Sequence, residues 1–212
     1  MAEARLKPQN IRTPAGTVRT LPQLAPAFPP RKPKGKVLSK EEREQLVNIA
    51  SMIAEKHGIP PKYFIAQIQQ ESGFNPTARG KAGEIGIAQI IPRFHPGVNP
   101  HDPVQSMDYM ASFIQEASNK LAMKYGPDMA FVAAAAAWNA GLPSVEQGKI
   151  PITTLNYIAS IFGVDVAREL ARRASNPQPG NISLSRKTPP QQPADSQLRL
   201  ATLGLLLSGG RP

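Results

Sequence analysis

The stretch ESGFNPTARGKAGEIGIAQIIP, residues 71–92, joins the end of an apolar helical pattern to a glycine-rich turn. Upstream of it Phe64, Ile65 and Ile68 recur at helical spacing, Pro61 suits the first helical position, and Gly73 suits a C-terminal cap. The pattern predicts a helix that ends at Glu71 and Ser72. Residues 73–101 then carry Gly73, Gly80, Gly83, Gly86 and Gly97 with Pro76, Pro92, Pro96 and Pro100. That composition predicts loop, with a short helical or extended piece around Ile85 to Ile91.

Outward from this stretch the signals are helical. Ser39 and Glu42 form a capping box, followed by Leu46, Ile49, Ala50 and Ile53 and then the stop at Gly58. Asp102 and Pro103 start a long helix with the stripe Met107, Met110, Ala111, Ile114, Leu121 and Tyr125, closed by Gly126. Pro127 opens an alanine-rich helix that stops at Gly141, and the alanines suit close helix packing. Pro151 opens a helix holding Tyr157 and Ile161. A last helix, around 164–174, carries Val166, Ala167 and Leu170 on one side. Six or so helices with one long loop predict a compact all-α domain over residues 39–175.

The flanks differ in kind. Residues 1–40, 41–171 and 172–212 carry net charges of +8, −3 and +5, so the basicity of the chain belongs to its ends. Both ends are rich in proline and cannot bury enough apolar surface to fold alone. Residues 1–38 and 176–212 are therefore expected to be arms that dock on a partner, with the apolar run Leu200 to Leu207 as a docking segment. The slightly acidic middle, and arms poor in aromatics, argue against a specific nucleic-acid binder. No run approaches the roughly 20 apolar residues of a bilayer span. There is no cysteine. His57, His95 and His101 lack the spacing of a helical zinc site, and no phosphate-loop, dinucleotide or nucleophile-elbow motif occurs. No metal and no cofactor are expected.

Glu71 is the residue with catalytic promise. The C-terminal end of a helix disfavours a carboxylate, and Ile68 and Phe64 add desolvation. Both effects favour the protonated form, which a general acid near neutral pH requires. Gln89 and Asn139 are amides in small or apolar surroundings, suited to the N-acetyl and hydroxyl groups of a sugar or to satisfying a loop. Trp138 and Tyr157 suit stacking on sugar rings or packing in a core. Glu84 is the candidate second carboxylate.

These residues resemble the catalytic domain of the soluble lytic transglycosylases, which is allied to goose-type lysozyme. The first motif of that family reads E-S-x-F-N-P-x-A-x-S-x-x-G-A-x-G-L-M-Q. Here Glu71 to Ala78 match it, and Gly83, Gly86 and Gln89 fall in register. The second motif, A-Y-N-A-G, is represented by Ala137-Trp138-Asn139-Ala140-Gly141, and a third by Pro151 to Thr154 leading to Tyr157. The sequence departs from the family at Gly80 (serine there), Glu84 (alanine), Ile87 (leucine), Ala88 (methionine) and Trp138 (tyrosine). The resemblance spans roughly residues 39–172 and implies a lysozyme-like fold. It implies cleavage of peptidoglycan glycan strands between N-acetylmuramic acid and N-acetylglucosamine, with closure of a 1,6-anhydro ring. Glu71 would be acid and then base, while Ser72, Gln89, Trp138, Asn139 and Tyr157 would pack or bind around the substrate. Were Glu84 to enter the cleft and position a water, the outcome would be hydrolysis. The rival reading from another class is an inactive structural protein that only binds glycan.

The opening MAEARLKPQNIRTPAG has no apolar stretch of the secretory kind. The expectation is therefore delivery by another machine: a bacteriophage virion, acting in the host periplasm, with tail or ejection proteins as partners of the arms. A bacterial periplasmic enzyme is the alternative.

Overall fold

The computed structural model describes residues 38–176 and, before them, the short strands β1 (Asn10–Arg12) and β2 (Val18–Thr20). The two strands pair antiparallel, Asn10 opposite Thr20 and Arg12 opposite Val18, a pairing that the proline-rich composition did not signal. The expected docking segment Leu200 to Leu207 lies outside the described residues. From residue 38 onward the chain is all-α, with seven helices among the described residues. They fall in two compact units, residues 38–116 and 117–176, described in turn.

In the first unit, α1 (Lys40–Lys56) opens on the expected capping box. The Glu42 N–H donates to Ser39 Oγ at 3.1 Å, and the Ser39 N–H donates to the Glu42 carboxylate at 2.8 Å. Leu46, Ile49, Ala50 and Ile53 are buried at the predicted spacing. It packs on α2 (Pro61–Ser72), where Pro61 occupies the first turn, its missing N–H leaving no helical bond unmade. Gly73 caps α2 in the left-handed conformation at φ 65°, and its N–H donates to the Gln69 carbonyl at 3.0 Å. The long helix α3 (Pro103–Tyr125) starts from Asp102, whose carboxylate accepts the N–H groups of Val104 and Gln105 at 2.9 and 3.0 Å. Its residues Met107, Met110, Ala111 and Ile114 are fully buried. A polar cluster ties α1 to α3: Asp108 Oδ1 lies 2.8 Å from Lys56 Nζ and 2.9 Å from His57 Nε2. The hydrogen bond from His57 is the main cause that holds the Asp108 carboxyl down at about 2.

In the second unit, α4 (Ala130–Ala140) buries the whole run Ala133 to Ala137 and packs on α5 (Leu142–Glu146) and α6 (Ile152–Phe162). Small side chains let helix backbones approach closely, which is why this stretch reads as alanine. The one-turn helix α5 is the element that the six-helix expectation lacked. Helix α7 (Val164–Ser175) packs on α6 through buried Ala167 and Leu170. Its Arg173 grips Asp128 through both terminal guanidinium nitrogens at 2.7 Å, reaches Glu169 through Nε at 2.7 Å, and also donates to the Tyr125 carbonyl. Such a planar fork matches a carboxylate in a way that a lysine would not. The Tyr125 hydroxyl donates to the Val145 carbonyl at 2.7 Å, and burial pushes its pKa up to about 12.

Candidate active site

Glu71 is the penultimate residue of α2 and is half-buried. Ile68 and Phe64, one and two turns earlier on the same helix, are fully buried. Ser72 is buried, and its hydroxyl donates to the Ile87 carbonyl at 2.7 Å. This bond fastens the end of α2 to the glycine-rich loop and commits the hydroxyl to the protein.

The loop is built around Ile85 and Ile90, which exchange two backbone hydrogen bonds of 2.9 Å each. Between them Gly86 turns at φ 78° and Gln89 at φ 53°. A non-glycine residue at positive φ is uncommon and marks a place worth explaining. Gln89 is held there by its own side chain: Nε2 donates to the Gly86 carbonyl at 2.9 Å, and the backbone N–H of Gln89 donates to the same oxygen at 3.2 Å. The Gly86 N–H donates to the Ala78 carbonyl at 2.9 Å. On its other side, a Cβ at Gly86 would press into the Pro100 carbonyl, 3.1 Å from its carbon. The glycine is required twice, by its dihedral and by its neighbour.

Glu84 is folded back into the same loop. Its carboxylate accepts the Ala82 N–H at 2.8 Å, and its carbonyl accepts the Gly80 N–H at 2.9 Å. The Glu84 side chain lies over Gly80, where an added Cβ would be 2.5 Å from the carboxyl carbon and 2.9 Å from the Glu84 Cβ. Gly80 and Glu84, two departures from the family pattern, are thus one packing arrangement. Gly80→Ser is expected to destabilise the protein by about 1–3 kcal/mol, the usual cost of overpacking. Adding Glu84→Ala, which removes the carboxyl but keeps the Cβ, is expected to recover part of that loss. Thermal unfolding of the two single variants and the double checks it, and additive losses would show that the two positions are independent.

In the second unit, Trp138 is half-buried and Asn139 exposed near the end of α4, while Tyr157 is buried on α6. Packing of α4 on α6 brings Asn139 to Thr154, whose hydroxyl donates to Asn139 Oδ1 at 2.7 Å. Thr154 therefore decides which way the Asn139 amide faces. In the sequence Thr154 is signalled only by its position three residues before Tyr157, on one helix face. Among the described residues no three histidine, aspartate or glutamate side chains gather as a metal set. No helix there is long and apolar enough to cross a membrane.

The Glu71–Gln89 loop, with an amide at the end of an alanine-rich helix, agrees with a comparison against known families. Residues 48–149 match the Transglycosylase SLT domain. The match supports the lytic transglycosylase family, with peptidoglycan as substrate and lytic transglycosylase activity in general. Glu71, Ser72, Glu84, Gln89, Trp138 and Asn139 fall inside the SLT segment; Thr154 and Tyr157 lie just beyond it.

Proposed function

We propose that the chain cleaves the bond between N-acetylmuramic acid and N-acetylglucosamine and leaves 1,6-anhydromuramic ends, with Glu71 as the one working carboxyl. The observation that carries this reading is the engagement of Glu84 with the Ala82 N–H, which gives the second acid of the stretch a task inside its own turn. Enzymes that hydrolyse glycosides generally use two carboxyls, one as acid and one to activate water or attack the sugar. One carboxyl suffices when the nucleophile is part of the substrate.

In this scheme the Glu71 carboxyl gives its proton to the glycosidic oxygen as the bond from that oxygen to the muramic C1 breaks. The carboxylate so formed takes the proton of the muramic C6 hydroxyl, and O6 bonds to C1. The acid is regenerated, no water is consumed, and the N-acetylglucosamine side leaves with a free hydroxyl. The helix end and the buried Phe64 and Ile68 favour the protonated starting form. By the family pattern, Gln89 and Asn139 are assigned to the sugar's N-acetyl and hydroxyl groups, and Trp138 and Tyr157 to its rings. The test is digestion of purified sacculi with mass spectrometry of the fragments. Anhydro ends support the reading; reducing ends that vanish in Glu84→Gln would instead make the protein a hydrolytic lysozyme.

For its place of action we propose delivery by a bacteriophage virion into the host periplasm, with the arms as docking segments. The support is their composition: basic, rich in proline, and set apart in charge from a slightly acidic middle. A fragment of residues 39–175 is expected to digest isolated sacculi about as well as the full chain and to fail to incorporate into the particle. Normal incorporation would refute this division of labour.

A further inference from the structure

Five residues after Gln89, Phe94 is 62% exposed, unlike the other large apolar side chains of its unit, most of which are buried. The Arg93 guanidinium lies over its ring, 4.5 Å from the centroid. Arg93 is itself exposed and makes no ion pair with the described residues. The segment that carries the pair is firmly held. The Phe94 N–H donates to the Ile91 carbonyl at 3.0 Å, and the His95 N–H to the Pro92 carbonyl at 3.2 Å. His95 Nδ1 meets the Tyr109 hydroxyl of α3 at 2.9 Å, with the two rings edge to face at 5.3 Å. Pro92 and Pro96 stiffen the backbone on either side. An exposed aromatic on a rigid base, with a cation stacked on it, is organised for contact with a ligand that is part apolar and part anionic.

A peptidoglycan strand has that chemistry: one face of each sugar ring is lined by C–H groups, and its peptide stems carry free carboxylates. We propose that Phe94 and Arg93 form a further contact for the strand, a sugar ring lying on Phe94 and a stem carboxylate on Arg93. The proposal rests on the peptidoglycan reading above and adds to it a contact outside the motif residues. Arg93 suits the role because a guanidinium can stack on a ring and still present its N–H edge to a carboxylate.

The test is sedimentation of the full chain with purified sacculi, in the Glu71→Gln background so that binding is read without turnover. Salt is raised to screen the basic arms. Phe94→Ala is expected to weaken binding about fivefold, in keeping with one aromatic contact, and Phe94→Trp to retain it. Arg93→Gln is expected to weaken binding about threefold on intact sacculi, and to have no effect on sacculi whose carboxylates have been converted to amides. Unchanged binding by Phe94→Ala overturns the sugar contact, and an equal loss on amidated sacculi overturns the carboxylate contact. A parent protein that does not sediment with sacculi removes the peptidoglycan reading itself, and this contact with it. Thermal unfolding of each variant confirms that the change is at the surface.

Discussion

Glu71→Gln is expected to lower glycan-strand turnover at least about a hundredfold, the lower end for a lost acid–base group. The amide keeps the size and polarity of the side chain, so α2, the Ser72–Ile87 bond and the thermal transition should survive. The loss should appear in kcat, because the proton is needed at bond breaking and not at binding. The pH profile of the parent should fall at high pH, where the acid has lost its proton. Near-normal turnover by the variant would remove Glu71 from the chemistry.

Gly86→Ala should also be damaging, though less so, for a mechanical reason. A residue other than glycine at φ 78° costs about 1–2 kcal/mol, and the new methyl must also displace the Pro100 backbone. The Ile85–Ile90 pairing that presents Gln89 cannot hold its shape under that push. We expect a loss of about 2–4 kcal/mol in stability, combining strain and overpacking, and at least about a tenfold loss of activity as the site is misplaced. Gly83→Ala is the control. Gly83 also has positive φ, at 95°, but nothing lies within 4 Å of an added Cβ. It should show the backbone cost alone, and equal losses for the two variants would mean that the Pro100 contact is not what constrains the loop.

Much of the fold was legible because its boundaries rest on strong local signals. The Ser39–Glu42 box, Pro61 at a helix start, Gly73 at a helix end and the Met107–Tyr125 stripe each act within a turn or two of chain, and each is realised. The one-turn α5 escaped because five residues hold too little periodicity to read. The β1–β2 pairing escaped because three-residue strands carry no pattern against a proline-rich background.

At the site, Glu71 could be read from helix polarity and its apolar neighbours. The tasks of its companions depend on contacts between distant residues. Ser72 reaches Ile87, Thr154 reaches Asn139, and the Gln89 side chain returns to Gly86. Gln67 is the sharpest case. It lies one turn before Glu71, fully buried, and its amide finds no hydrogen-bond partner among the described residues. Buried amides usually find partners, and neither periodicity nor composition signals one that does not.

The central claim is that bond cleavage uses the substrate's own hydroxyl and a single carboxyl. It is tested most directly by digesting purified sacculi with the full chain in water enriched in heavy oxygen and weighing the released fragments. The account predicts anhydromuramic ends, lighter than reducing ends by one water and free of heavy oxygen from the solvent. Reducing ends that carry the label would contradict it, because water would then have done the work assigned to the C6 hydroxyl.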